Sequence, residues 1–291
     1  MRHPVAKLDY GAPLSGSSEH EPWVIDGISD SPNYIYNFAI DTRDVLVTDL
    51  RKASKNITLE QNGFELTTIS SKVDQNDLFS KHDHAVLAYQ QEIKSLLYKQ
   101  LNFDDIIFFD TTVRCEHTSH ESQSGVLKSH PRVHADQNPN SAYQRAKPYL
   151  ALDKRFGRFQ IINFWRPLFK AVRNHHIALC DYQTIDPHAD LVDTQLVFPP
   201  WLKDKENYSL KFNKNHKWYY WSALTPNEAL VFKCFDSSSK VLQNKIAPFK
   251  SRVLSDISGV CPHTSFFDED GPKVGMLRSS IEVRAMVFYE E

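Results

Sequence analysis

Apolar positions along this chain fall mostly into short runs of β-branched and aromatic residues separated by polar turn formers, and one stretch shows clear helical spacing. The first 33 residues carry Gly, Pro, Ser and Glu without periodicity, in GAPLSGSSEHEP and DSPN, and predict an extended arm lying on the domain. From Tyr34 the runs YIYNFAI and VLVTDL predict strands. In ITLEQNGFELTTI, Asn62-Gly63 stands between two alternating runs and predicts a hairpin turn. Val86, Tyr89, Ile93, Leu96, Leu97 and Leu101 then recur at helical spacing, with Asp83 placed as a cap. DDIIFFDTTVR reads as a buried strand. The polar stretch from Glu116 to His130 reads as an exposed loop, of a length that often serves as a lid or binding element.

From Arg132 onward the pattern is mostly strands: RVHAD, FQIINFW, HIALCDYQTI, WYYWSAL, ALVFKCFDS, HTSFFD and RSSIEVRAMVFYEE, with a short helix around Ser141–Lys147 before Pro148. Many strands with few helices predict a mainly β (α+β) fold, a sandwich or barrel such as a jelly roll with flanking helices. No repeat or linker breaks the chain after residue 34, so residues 34–291 read as one domain behind an arm over 1–33.

Composition narrows the function. The 34 basic and 36 acidic side chains give a net charge of -2, which argues against a nucleic-acid partner held by bulk charge. None of the 9 glycines falls in a GxGxxG or GxxxxGK pattern, so neither standard phosphate-cradling loop is present. Cys115, Cys180, Cys234 and Cys261 are too widely spaced for a CxxC metal or redox motif. MRHPVAKLDYGAPL lacks the apolar run of a signal peptide and no window approaches 18 apolar residues, which predicts a cytoplasmic protein with reduced thiols and no membrane partner. The sequons at Asn56 and Asn207 are then coincidences of composition. The 13 histidines remain to be explained.

Only two of them have an acidic residue two positions on, His134-Ala135-Asp136 and His188-Ala189-Asp190. On a strand, residues i and i+2 share a face, so such a pair can reach one metal ion; it equally fits a surface His beside a solvated Asp. His188 follows Pro187, which suits a turn, whereas His134 ends a strand that runs into a loop. His263, opening a late strand, is the candidate third ligand of a two-His, one-carboxylate facial triad, the arrangement that leaves one face of non-haem Fe(II) open. Fifteen residues on, Arg278 and Ser280 share a strand face, and a guanidinium plus a hydroxyl make a receptor for a carboxylate.

Together with these motifs, the runs HADQNPNSAYQR, FQIINFWRPL, HIALCD, WYYWSALTPNEALVFKCFDS, CPHTSFFD and RSSIEVRAMVF resemble the fungal hydroxylase/desaturase family, over about residues 34–291. The resemblance implies a double-stranded β-helix and an Fe(II)- and 2-oxoglutarate-dependent oxygenase that uses O2 on a small metabolite, by hydroxylation, desaturation or ring formation. It implies His134, Asp136 and His263 as iron ligands, and Arg278 with Ser280 as the receptor for the distal carboxylate of 2-oxoglutarate. Arg284, of the same parity as Arg278, is the second choice for that role or a substrate contact. Ser279 and Leu277 depart from the acidic residue and the Pro usual at those places in the family. Rival readings are a jelly-roll dioxygenase or isomerase without 2-oxoglutarate, a non-catalytic binding module and, weakest, a zinc hydrolase, for which no general base or oxyanion donor set is evident.

Other residues carry alternatives. Arg166 is read as an ion pair with Asp181 or Asp236, or as a site residue. Lys233 in a buried strand requires a partner, Asp236 or Glu228. Tyr143 and Arg145 read as helix surface or substrate contacts, with the surface favoured. His175-His176 and His82-Asp83-His84 read as solvated or capping. Trp165, Trp218 and Tyr220 are candidates to line a pocket, or plain core.

Overall fold

The computed structural model describes residues 3–11, 22–25, 35–116, 126–127, 132–152, 156–197, 205–243, 252–269, 271 and 278–290. Among them the strands are β1 (Val5–Gly11), β2 (Trp23–Ile25), β3 (Ile35–Tyr36), β4 (Ile40–Asp49), β5 (Phe64–Thr68), β6 (Asp105–Cys115), β7 (Val126–Leu127), β8 (His134–Ala135), β9 (Phe156–Leu168), β10 (His175–Cys180), β11 (Leu191–Val197), β12 (Lys205–Leu210), β13 (Trp218–Tyr220), β14 (Glu228–Asp236), β15 (His263–Phe267) and β16 (Ser279–Glu290). The helices are α1 (Leu59–Asn62), α2 (Gln75–Phe79), α3 (Asp83–Leu101), α4 (Pro139–Leu152) and α5 (Lys240–Gln243).

The strands form two sheets, ordered β1-β4-β13-β10-β15-β8-β12-β11-β2-β3 and β5-β14-β9-β16-β6-β7. Strand alternation decides what lies between them. On β9, Phe159, Ile161 and Trp165 enter the main core with Leu8, Val47, Leu179 and Tyr208 of the larger sheet. Their neighbours Ile162, Phe164 and Leu168 point the other way, onto Tyr89, Ile93 and Leu97 of α3. Those helix residues recur every four positions, so α3 seals the outer face of the smaller sheet. The result is a jelly roll with flanking helices, as the pattern of short strands predicts.

β16 carries the clearest division of labour. Its outward residues Ile281, Val283, Ala285 and Val287 join the core under α3, while its inward row begins polar and ends apolar: Arg278, Ser280, Glu282 and Arg284, then Met286 and Phe288. The apolar half fills the sandwich, and the polar half opens a site at one end of it.

Several local readings change. Residues 5–11, predicted as part of an arm, form β1, pair with β4 from Val5↔Leu46 to Gly11↔Ile40, and put Ala6, Leu8 and Tyr10 in the core. Asn62-Gly63 is not a hairpin but the end of α1: the Thr58 hydroxyl accepts from the Gln61 amide at 3.3 Å, and Gly63, at φ 92°, donates to the Leu59 carbonyl at 3.2 Å. A Cβ on Gly63 would also stand 3.0 Å from the Val260 carbonyl oxygen. His82, not Asp83, is the N-cap of α3, and Asp83 lies in its first turn. The helix expected at Ser141–Lys147 starts earlier, with Asn138 accepting from the Ser141 amide at 2.9 Å ahead of Pro139, and it runs through the exposed Pro148. β11 and β12, whose apolar positions are diluted by charge, are added to the predicted strands. The expected loop at 116–130 lies mostly outside the described residues.

Candidate active site

β8 and β15 are antiparallel neighbours whose Cα partners are His134 and His263, so the pairing sets the two imidazoles side by side, with ring centroids 4.5 Å apart. Asp136 continues the His134 face two residues on. One ligand atom from each of the three residues lies within 4.8 Å of the others. His134 Nε2 is 3.3 Å and His263 Nε2 is 3.8 Å from Asp136 Oδ1. Both rings are oriented from behind, because Nδ1 of His134 donates to the Arg132 carbonyl at 2.8 Å and Nδ1 of His263 to the Cys261 carbonyl at 3.0 Å. A carbonyl only accepts, so each Nδ1 carries the proton and each Nε2 offers a lone pair toward the same point.

The other carboxylate oxygen of Asp136 is held by Asn163 Nδ2 at 2.9 Å and Arg284 Nε at 3.1 Å, with the Cys234 thiol at 3.5 Å. Burial alone would raise the Asp136 pKa, but the Arg284 guanidinium and the two imidazoles hold it well below the usual carboxylate range, so it stays an anion. Burial pushes the Cys234 thiol well up and keeps it neutral. Arg284 also pairs with Asp110 at 2.5 Å and with Glu282. Its guanidinium is thus shared among carboxylates of the protein itself, and it also lines the pocket beside the His-Asp-His cluster.

Arg278 stands at the other end of the row. It is buried, its guanidinium carbon 5.6 Å from the Trp165 ring centroid, with Nη1 3.4 Å from the His175 carbonyl and Nη2 3.7 Å from Glu116. Burial pushes its pKa down to about 10, so it remains charged at neutral pH. Among the described residues its Nε and the Ser280 hydroxyl are buried without a hydrogen-bond partner, a cost that a bound carboxylate would remove. A pocket joins the two ends, lined among others by His134, His263, Trp165, Arg278, Glu282 and Arg284.

The remaining candidates fall elsewhere. The second HxD does not form a site: His188 is exposed in a turn, and Asp190 binds His216 Nε2 at 3.0 Å and the Asp186 amide at 2.8 Å. Arg166 meets neither Asp181 nor Asp236; it lies under α3, 4.7 Å from the Tyr89 ring centroid, and donates to the Pro226 carbonyl at 2.9 Å. Lys233 does pair with Asp236, at 2.8 Å, but its second partner is Glu60 at 2.7 Å, while Glu228 binds Arg51. Arg145 is no surface residue: it stacks 4.3 Å over Phe109 and feels Arg284, Asp110 and Asp136. His176 is buried between Tyr220 and Phe266, which corrects its solvated reading; Trp218 and Tyr220 are core, and Trp165 alone of the three aromatics lines the cavity. Glu282, Arg114 and Glu116 were missed in the sequence, although the parity of Glu282 with Arg278 and Arg284 marks it as inward-facing.

A strand sandwich with a polar row ending at a His-Asp-His cluster is an arrangement suited to a divalent metal ion. The chain belongs to the family described as "Oxidoreductase/YMDC permease-like domain", which matches residues 8–288. Among curated proteins it is 28% identical over 279 residues to the hydroxylase/desaturase efuI of Hormonema carpetanum, covering 86% of this chain and 85% of that one. It is 29% identical over 253 residues to the alpha-ketoglutarate-dependent dioxygenase tstK of Talaromyces stipitatus, covering 84% of each. Among solved structures, the iron and alpha-ketoglutarate-dependent endoperoxidase NvfI superposes with a TM-score of 0.78 over 100% of both chains at 22% identity, a likeness of fold. The family resemblance carried by the motifs is borne out.

Proposed function

We propose that this protein is an Fe(II)- and 2-oxoglutarate-dependent oxygenase that attacks a C–H bond of a small molecule, leading to hydroxylation, desaturation or ring formation. The observation that carries the reading is the convergence of His134 Nε2, Asp136 Oδ1 and His263 Nε2 beside a pocket that both histidines line together with the buried Arg278, whose Nε has no hydrogen-bond partner among the described residues. The donor set fits the metal, since two neutral imidazoles and one carboxylate suit Fe(II) and leave one face open. When bound, the iron with 2-oxoglutarate and O2 supplies the oxidising power, at the expense of decarboxylating 2-oxoglutarate to succinate.

The protein's part is placement. Arg284 and Asn163 fix the Asp136 carboxylate and leave its Oδ1 facing the imidazoles. Arg278 and Ser280 hold the distal carboxylate through a charged fork and a hydroxyl, which sets the reach of the cosubstrate toward the metal ligands. Trp165 walls the cavity and keeps water from the reacting C–H. The orphaned donors at Arg278 and Ser280 favour this reading over a metal enzyme that dispenses with 2-oxoglutarate. A small-molecule substrate suits a pocket lined by a few charged groups, two imidazoles and Trp165, and the near-neutral charge supports a protein without a nucleic-acid partner. Four unpaired, buried cysteines support a cytoplasmic setting; among the described residues no helix is long and apolar enough to cross a membrane.

The test is metal uptake paired with succinate release. Purified protein is expected to bind one Fe(II) per chain and to convert 2-oxoglutarate to succinate, slowly even without the true substrate. His134→Ala is expected to lose both. Equal iron uptake by wild type and His134→Ala, or iron-loaded protein that never consumes 2-oxoglutarate with any candidate substrate, would overturn the proposal.

A further inference from the structure

We propose that Glu116 is a built-in competitor at Arg278, so that 2-oxoglutarate binds by displacing the Glu116 side chain from the guanidinium. The inference rests on the reading of Arg278 as the receptor for the distal carboxylate. It comes from the register of two strands. β6 and β16 pair with Asp110 opposite Arg284, Thr112 opposite Glu282, and Arg114 opposite Ser280. The Glu116 amide donates to the Arg278 carbonyl at 3.0 Å, which extends the ladder by one rung and sets Glu116 opposite Arg278 on the same inward face.

Two rungs of this ladder set a carboxylate against a guanidinium, and they differ. Asp110 and Arg284 are in direct contact at 2.5 Å. Glu116 and Arg278 stand 3.7 Å apart, beyond hydrogen-bond reach, although their side chains are only 12% and 3% exposed. Among the described residues Arg278 is left with a long contact to the His175 carbonyl and an Nε that meets no acceptor. Glu116 therefore supplies a countercharge that makes a buried arginine tolerable, without using the donors that would fix its geometry. A carboxylate seated bidentately on Arg278 satisfies those donors and removes the need for the countercharge. Two carboxylates at one buried guanidinium repel each other, so the incoming one turns Glu116 away. The Glu116 backbone is tied to Arg278, so the side chain alone has to rotate. The half-buried His175 and the cavity-lining Arg114 also face this rung; His175 is acted on by both Glu116 and Arg278, and Arg114 by its charge on Arg278.

A competing side chain and an orienting one predict opposite signs. The experiment titrates full-length, Fe(II)-loaded protein without oxygen, by calorimetry and visible absorption, with 2-oxoglutarate and separately with oxalate, which chelates a metal but has no distal carboxylate. Glu116→Gln is expected to bind 2-oxoglutarate roughly three- to tenfold more tightly than wild type, as removal of a partly buried ionic contact allows, with oxalate affinity unchanged. Glu116→Asp, with a shorter reach to Arg278, is expected to fall between the two. Unchanged or weaker 2-oxoglutarate binding by Glu116→Gln overturns the proposal, and so does equal tightening toward oxalate, which is a general charge effect. Wild type that binds iron but gives neither heat nor band with 2-oxoglutarate overturns the functional reading itself, a different failure.

Discussion

Asp136 shows how much of this site is made by residues that touch no ligand. One of its oxygens faces the two imidazoles and the other is held by Asn163 and Arg284, and Arg284 is in turn pinned by Asp110 and Glu282. Replacing Arg284 with Met leaves those carboxylates without their shared cation. Fe(II) affinity is expected to fall by about 10- to 100-fold, read by competition with a calibrated chelator. Arg278→Ala acts at the other end: it is expected to raise the 2-oxoglutarate concentration needed for half-saturation by roughly 30-fold or more, with iron affinity nearly intact. Equal losses of iron and 2-oxoglutarate binding would point instead to a damaged fold. At this scale the sequence was legible wherever a spacing rule applied. His134 with Asp136, and Arg278 with Ser280, follow from strand periodicity. Glu116 and Arg114 were not legible, because their relevance depends on which strand β6 lies beside, and no local pattern encodes that.

Among the elements, the bulge in β14 carries a polar network. Lys233, fully buried, binds Asp236 and Glu60, and Asp236 also binds Arg158 at 2.5 Å and Gln160 at 2.7 Å. Against its burial, Lys233 and Arg158 bring the Asp236 pKa down to about 2. Its stabilising contribution is therefore complete above about pH 4 and is lost as pH falls toward 2. Asp236→Ala leaves Lys233 and Arg158 with only the half-exposed Glu60 as a shared carboxylate and is expected to cost about 3–5 kcal/mol in chemical denaturation at neutral pH. His176 on β10 works in a higher window. Burial between Tyr220 and Phe266 depresses its pKa from 6.5 to about 4, so below pH 6.5 the unfolded chain takes up a proton that the folded chain refuses. Stability should then decline as pH falls from 6.5 to 4, and His176→Phe should reduce that decline by up to about 3 kcal/mol. The reduction is partial, since His175 and His216 are depressed by burial as well. A pH profile identical in wild type and His176→Phe would contradict this assignment. Helix α3 and the long strands were legible from periodicity, whereas α1 was not: Asn-Gly fits a hairpin turn and a helix C-cap alike, and only the Thr58 cap upstream distinguishes them.

For the whole molecule, the sandwich depends on a strand that composition disguises. β1 buries only alternate side chains, Ala6, Leu8 and Tyr10, with Lys7 and Asp9 between them, yet Tyr10 accepts a hydrogen bond from Trp218 Nε1 at 2.7 Å and Leu8 is fully buried. Removal of residues 1–11 is expected to lower the melting temperature by at least several degrees or to yield insoluble protein, since burial of each large apolar side chain contributes about 1.5–3 kcal/mol; a truncation as stable as the full chain would contradict this role for β1. The jelly roll itself was legible as a count of short strands with few helices. The meeting of β8 with β15 was not, because strands more than a hundred residues apart pair through tertiary contacts. Yet that pairing brings His134 and His263 together, and the proposed function turns on it, with Fe(II) at one end of the polar row and the tail of 2-oxoglutarate at the other. The most direct test is to add Fe(II) and then 2-oxoglutarate to the protein without oxygen and to record the visible spectrum. A metal-to-ligand charge-transfer band is predicted for wild type, lost in His134→Ala and shifted to much higher 2-oxoglutarate in Arg278→Ala; iron-loaded wild type that stays colourless, or a band of equal strength in His134→Ala, would contradict the account.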